Sequence, residues 1–127
     1  MLINDAHIWI GLFDSQKRLD TYMEEEYGDD EDEPISEFGR DQKASFYDHD
    51  LVYAEFSKKK VPPAELIGVW EFPKKAVATV AAAIEKLGVP FANVSFIADK
   101  GEFKKGRSAK GKGYQLWYVG QFKGCSK

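Results

Sequence analysis

Histidine and carboxylates set side by side are the residue types that hold metals or move protons, and here they gather at Asp48-His49-Asp50. Neighbouring residues on a strand point to opposite faces, so these three converge only in a turn. The only other imidazole is His7, far away in sequence. A zinc site needs three or four converging ligands. The expectation is therefore a polar turn in which Asp48 or Asp50 bonds nearby backbone N–H groups, with a cryptic hydrolase as a distant third possibility. The single cysteine, Cys125, lies in a polar Gly-Cys-Ser-Lys tail. It allows no disulfide within the chain, and such a tail is a poor place for a base-activated thiolate. No serine sits in a G-x-S-x-G pattern. Lys100–Gly113 carries six basic residues and four glycines, but Arg107 follows Gly106 and Gly113 follows Lys112, which breaks the phosphate-loop order. It reads as a solvated hairpin tip. A basic loop of this kind can also contact phosphates, so a small nucleic-acid-binding domain using residues 100–113 is the alternative function. Only Phe103 stands inside the loop to stack on a base. No catalytic residue, metal or cofactor is expected.

The acidic side chains are more distinctive. Glu24–Glu33 holds eight carboxylates in ten residues, closed by Pro34. Glu37, Asp41, Asp48, Asp50 and Glu55 continue the theme, with Tyr22, Tyr27, Phe38, Phe46, Tyr47 and Tyr53 threaded among them. Residues 1–56 carry 16 acidic and 4 basic side chains, and residues 57–127 carry 5 acidic and 14 basic ones. The net charge of −3 conceals this polarity. Dense like charge is usually a solvated loop. Carboxylates around aromatic anchors also suit docking onto a basic protein surface, where charges steer the encounter and buried rings hold the complex.

The elements that must position these groups are legible from periodicity. In Asp5–Asp14, Ile8, Ile10 and Leu12 alternate with His7, Trp9, Gly11 and Phe13. Both sets are largely apolar, which predicts a central or well-covered strand. Ser15 then caps a helix over about Gln16–Glu26, with Leu19, Tyr22 and Met23 inward and Arg18 toward water. Ser36 caps a short helical turn anchored by Phe38. Phe46–Phe56 runs from a turn into a strand with Val52, Ala54 and Phe56 on one face. Ala64–Trp70 is either a helical turn or a short strand. Pro73–Leu87 is the clearest helix, ending at Gly88, with Val77, Val80, Ala81, Ile84 and Leu87 as its core stripe. Strands at Asn93–Asp99 and Tyr114–Phe122 are expected to pair as a long hairpin. The order predicts an α+β fold, a mostly antiparallel four-stranded sheet with helices packed on one face.

At 127 residues with 43% apolar and 14% aromatic content, the chain suffices for one domain, residues 1–127, without a disulfide or metal. Its N-terminal apolar run, Ala6–Phe13, lacks a basic leader and is far short of the ~20 residues that span a bilayer. A cytoplasmic location is expected.

His7-Ile8-Trp9-Ile10-Gly11, the Ser15-led helix with Tyr22 and Tyr27, Ser36-Glu37-Phe38 with Asp41, and Tyr47-Asp48-His49-Asp50 together resemble the bacterial immunity protein 22 family. Members are encoded beside polymorphic toxins and are thought to neutralise them by binding. The resemblance covers about the first 56 residues and implies an α+β fold, no enzymatic activity and a cognate protein toxin as partner. Joined to the charge pattern, it places partner contacts at Asp29, Asp30, Glu31, Asp32, Glu37, Phe38, Asp41, Tyr47, Asp48 and Asp50. Their acidity points to a basic target such as a nuclease cleft.

Overall fold

The computed structural model of the chain describes residues 5–24, 36–43, 52–69, 74–99 and 105–123. The elements run β1 (Asp5–Phe13), α1 (Gln16–Met23), α2 (Glu37–Asp41), β2 (Val52–Val61), a 3-10 helix (Pro63–Val69), α3 (Lys74–Lys86), β3 (Ala92–Asp99), β4 (Ala109–Gly111) and β5 (Tyr114–Lys123). The fold is α+β. Its sheet has five strands in the order β2-β3-β1-β5-β4, and every neighbouring pair is antiparallel.

Two expectations are corrected here. The sheet has a fifth strand, β4, hidden in sequence because Ala109–Gly111 is only three residues long and lies in a glycine- and lysine-rich run. It forms the tight hairpin with β5 through Gly111↔Tyr114. The expected hairpin of β3 with β5 does not exist, because β1 lies between them. The reason is burial: β1 is apolar on both faces, and only the central position covers both.

The helices also divide between the two faces instead of sharing one. On the first face Ile8, Ile10 and Ile97 pack with Leu66 of the 3-10 helix and Val80 and Ile84 of α3. On the second, Trp9, Phe13 and Phe96 pack with Leu19 and Tyr22 of α1 and Phe38 of α2. Opposed pairs such as Ile8↔Ile97 and Trp9↔Phe96 keep each face chemically consistent across the sheet. Beside β5 the register shifts between Ile8 and Trp9, where β1 residues face Gly120 and Tyr118. Val119 is the extra residue of this bulge, which returns Phe122 to the first face.

Local signals account for the helix ends. The Ser15 hydroxyl accepts from the Arg18 N–H, and that of Ser36 from the Gly39 N–H, each at 3.0 Å. Such caps contribute roughly 1 kcal/mol. α1 stops at Met23, short of the expected Glu26. α3 ends as expected before Gly88, which adopts φ +67°. Of its expected stripe, Val80 and Ile84 are buried, but Val77 is 41% exposed and lies off the core. Asn93 closes the end of β1: its side-chain amide accepts from the Phe13 N–H at 2.9 Å and donates to the Phe13 carbonyl at 2.8 Å. It thus imitates a strand partner beyond the last Gly11↔Val94 pair.

Candidate partner-binding surface

α1 and α2 flank the acidic run, and their side chains lock them together. Arg18 donates to both oxygens of Glu37, each at 2.9 Å, and through Nε to the Lys112 carbonyl at 2.9 Å. Its guanidinium also lies over the Tyr114 ring, 5.0 Å from the centroid. Donating to the Glu37 carboxylate raises the Arg18 pKa further, so this fork stays charged. Arg18, expected to face water, is instead the joint between α1, α2 and the β4–β5 turn. One turn further along α2, Asp41 Oδ2 accepts from the Tyr22 hydroxyl at 2.7 Å and from the Tyr114 hydroxyl at 2.6 Å. Burial, followed by the bond to Asp41, pushes both phenol pKa values well above the usual range.

Beneath this polar layer lies an aromatic one. Phe38 is fully buried. It meets Trp9 edge-on at 5.2 Å and stacks on Phe96 at 5.6 Å. Tyr22 meets Tyr114 at 4.6 Å and Phe13 at 5.2 Å. Ring pairs of this kind add about 0.5–1.5 kcal/mol each beyond the area they bury. Phe38, expected as an anchor at the partner interface, is therefore an anchor of the fold. A ring with no exposed surface has nothing to offer a docking protein.

A second junction joins α2 to residues 105–108. Gln42, almost fully buried, donates to the Arg107 carbonyl at 2.9 Å and accepts from the Arg107 N–H at 2.7 Å. Trp9 Nε1 donates to the same carbonyl at 3.3 Å. The Ser108 hydroxyl accepts from the Tyr118 N–H at 2.9 Å. Gly106 is buried against the Tyr118 ring so closely that a Cβ there would stand 2.0 Å from it. Residues 105–108 are thus a fastened strap, whereas the sequence suggested part of a loose hairpin tip. His7, the histidine of the described residues, is buried beside the strap with Nδ1 2.7 Å from the Tyr118 hydroxyl. Among the described residues no group of three histidine, cysteine or acidic side chains is placed to hold a metal. The cleft of about 350 Å³ between β2 and the 3-10 helix is lined by Glu55, Glu65 and Ser95, with no histidine or cysteine beside them.

Of the expected contact residues, Glu37, Phe38 and Asp41 are described, and the structure brings them together on one short helix. Asp29, Asp30, Glu31 and Asp32 fall in residues 25–35, and Tyr47, Asp48 and Asp50 fall in 44–51, both outside the described residues. Sequence reasoning missed Arg18, Gln42 and Tyr114. A hint was present for Gln42, a polar residue directly following a capped helical turn. For Arg18 and Tyr114, no periodicity distinguishes a cross-linking side chain from a solvated one.

The immunity protein 22 family matches residues 6–123, from β1 to the last residue of β5. The chain belongs to this family. The match extends well past the 56 residues that carried the resemblance in sequence, and it takes in α3 and the β4–β5 hairpin. No curated protein and no solved structure matches the chain. Among the described residues of this immunity protein 22 chain, no helix is long and apolar enough to cross a membrane.

Proposed function

We propose that this chain is a non-catalytic immunity protein that binds a cognate bacterial toxin and covers a basic functional surface, such as a nuclease cleft. Family membership across residues 6–123 carries the reading. The charge distribution supports the kind of target: a balance of 16 acidic to 4 basic residues in the first 56 imitates the phosphates that a nuclease cleft receives. The geometry supports the location. The Arg18–Glu37 fork and the Tyr22–Asp41 bond join the helices that precede and follow residues 25–35. In this reading Asp29, Asp30, Glu31, Asp32, Asp48 and Asp50 supply the rim charge and Tyr47 the aromatic anchor. Glu37 and Asp41 serve by holding the base of this surface. A binder of this kind works in the cytoplasm, where it meets the toxin before it acts, and it needs no cofactor.

The test uses the cognate toxin domain, inactivated and purified. Rim charges govern association and buried anchors govern dissociation. Replacing Asp29, Asp30, Glu31 and Asp32 by their amides slows association and flattens its salt dependence, with dissociation nearly unchanged. Tyr47→Ala weakens binding by about 2 kcal/mol, the scale of a hot spot. If both variants fold and bind at wild-type rates, the acidic segment is not the interface.

A further inference from the structure

Charge is segregated along the sequence, but the fold mixes it at α2. The two carboxylates of this helix are engaged internally, Glu37 by Arg18 and Asp41 by Tyr22 and Tyr114. The cations around it are exposed: Arg40 and Lys43 from α2 and its end, Lys105 and Arg107 from the strap. The paired bonds between Gln42 and the Arg107 backbone bring Lys43, the residue after Gln42, to the same junction as the strap that carries Lys105 and Arg107. We propose that Lys43, Lys105 and Arg107 form a second, basic contact that receives a cluster of carboxylates on the same toxin. The interface is then bipolar, acidic at residues 24–33 and basic at the α2–strap junction. This rests on the reading of the chain as a toxin binder.

Three observations carry it. The backbone of the strap is fastened at Gly106, Arg107 and Ser108, which lowers the ordering cost of presenting its two cations below that of a free loop. Lys43 adopts φ +56°, the only positive φ at a non-glycine among the described residues. Its N–H bonds the Arg40 carbonyl, closing the helix in the left-handed conformation that glycine ordinarily supplies. A lysine there bears a conformational cost that a glycine would avoid, which points to a use for its side chain. The third is the chemistry of the partner. Among the described residues the rings nearest the strap, Trp9 and Tyr118, lie against its inner side, with Trp9 fully buried, and offer no platform for stacking bases. A long polyanion would also be repelled by a chain whose net charge is −3, whereas a compact carboxylate cluster fits a patch of three cations. Contacts of opposite sign at two places fix the orientation of the complex and reject partners with the wrong pattern.

The experiment measures stopped-flow association of the full chain with the inactivated cognate toxin domain, at low and high salt. Melting temperatures are recorded for every variant. Lys43→Gly is expected to melt at the wild-type temperature or above it, because it relieves the left-handed residue, and yet to associate more slowly. Lys105→Ser with Arg107→Ser leaves the backbone bonds of the strap in place and keeps the melting temperature. The three substitutions combined slow association about tenfold at low salt, and the loss shrinks at high salt. Folded triple variants that associate at the wild-type rate, while the amide variant of Asp29–Asp32 is slowed, overturn the basic contact and leave the toxin-binding reading intact. A wild-type chain that does not bind the toxin at all overturns both. A 12-nucleotide RNA is titrated in parallel. Binding to it that depends on Lys43, Lys105 and Arg107, with toxin association unaffected by them, overturns the carboxylate partner in favour of nucleic acid.

Discussion

Against α3 the sheet presents Ile8, Ile10 and Ile97 to Val80 and Ile84, whereas against α1 and α2 it presents Trp9, Phe13 and Phe96 to Tyr22 and Phe38. The first face is aliphatic and non-directional: its contacts are worth the area they remove from water, and modest sliding costs little. The second is aromatic and topped by directional bonds, in which Arg18, Glu37, Asp41 and Gln42 each reach a named atom. The difference teaches where position matters. Packing alone keeps α3 on the sheet. The second face also has to hold α1, α2, the strap and the β4–β5 turn in register, and the segments proposed to meet the toxin leave from those elements.

Truncation should separate the two faces most sharply. Phe38→Ala is expected to cost about 3–5 kcal/mol, read as the shift in urea midpoint, because it opens a cavity between Trp9, Tyr22 and Phe96. Ile84→Ala on the other face should cost about 2–4 kcal/mol. Toxin association by the folded fraction should suffer only in the Phe38 variant. Equal effects on binding from both would erase the functional distinction between the faces.

A smaller effect tests the directional layer. Tyr22→Phe deletes one of the two hydroxyls on Asp41, at a cost of roughly 1.5–3 kcal/mol for a bond to a charged acceptor. It should also alter the response to alkali. The Tyr22 and Tyr114 phenols stay neutral in the fold well above the point, about pH 10, at which they ionise in the unfolded chain. Their contribution is fully present below that point and is lost as pH rises beyond it. Wild-type denaturation midpoints should therefore fall steeply above about pH 10, and less steeply for Tyr22→Phe. Parallel curves for the two proteins would remove Tyr22 from this account.

The smallest effect belongs to Val77. As it lies off the core, Val77→Asp should change the melting midpoint by no more than about 0.5 kcal/mol equivalent. A loss of several times that would return Val77 to the aliphatic core.

Much of this architecture was legible beforehand because local rules produce it. Ser15 and Ser36 cap helices through their own hydroxyls, and Gly88 ends α3 in the left-handed region. The alternation of β1 announced a strand covered on both sides. That last pattern already contradicted helices on a single face, since a sheet whose central strand is apolar twice over must be covered twice. The acidic run was legible in sequence by composition alone, and of the helices that precede and follow it the sequence marked the starts, through Ser15 and Ser36, but not the end of α1.

Sequence by itself thus determined the longer helices and strands, though not β4 or the 3-10 helix, and with them the family of the chain and the polarity of its charge. Those properties depend on neighbours within a few residues. Tertiary structure alone decided that β1 separates β3 from β5, that Phe38 faces inward, and that Glu37 and Asp41 are engaged by Arg18, Tyr22 and Tyr114. It also decided that Gln42 clasps Arg107 across 65 positions. Each of these is a contact between distant residues, whose partners follow from which apolar faces must be buried together, and a sequence pattern records the face without naming its counterpart.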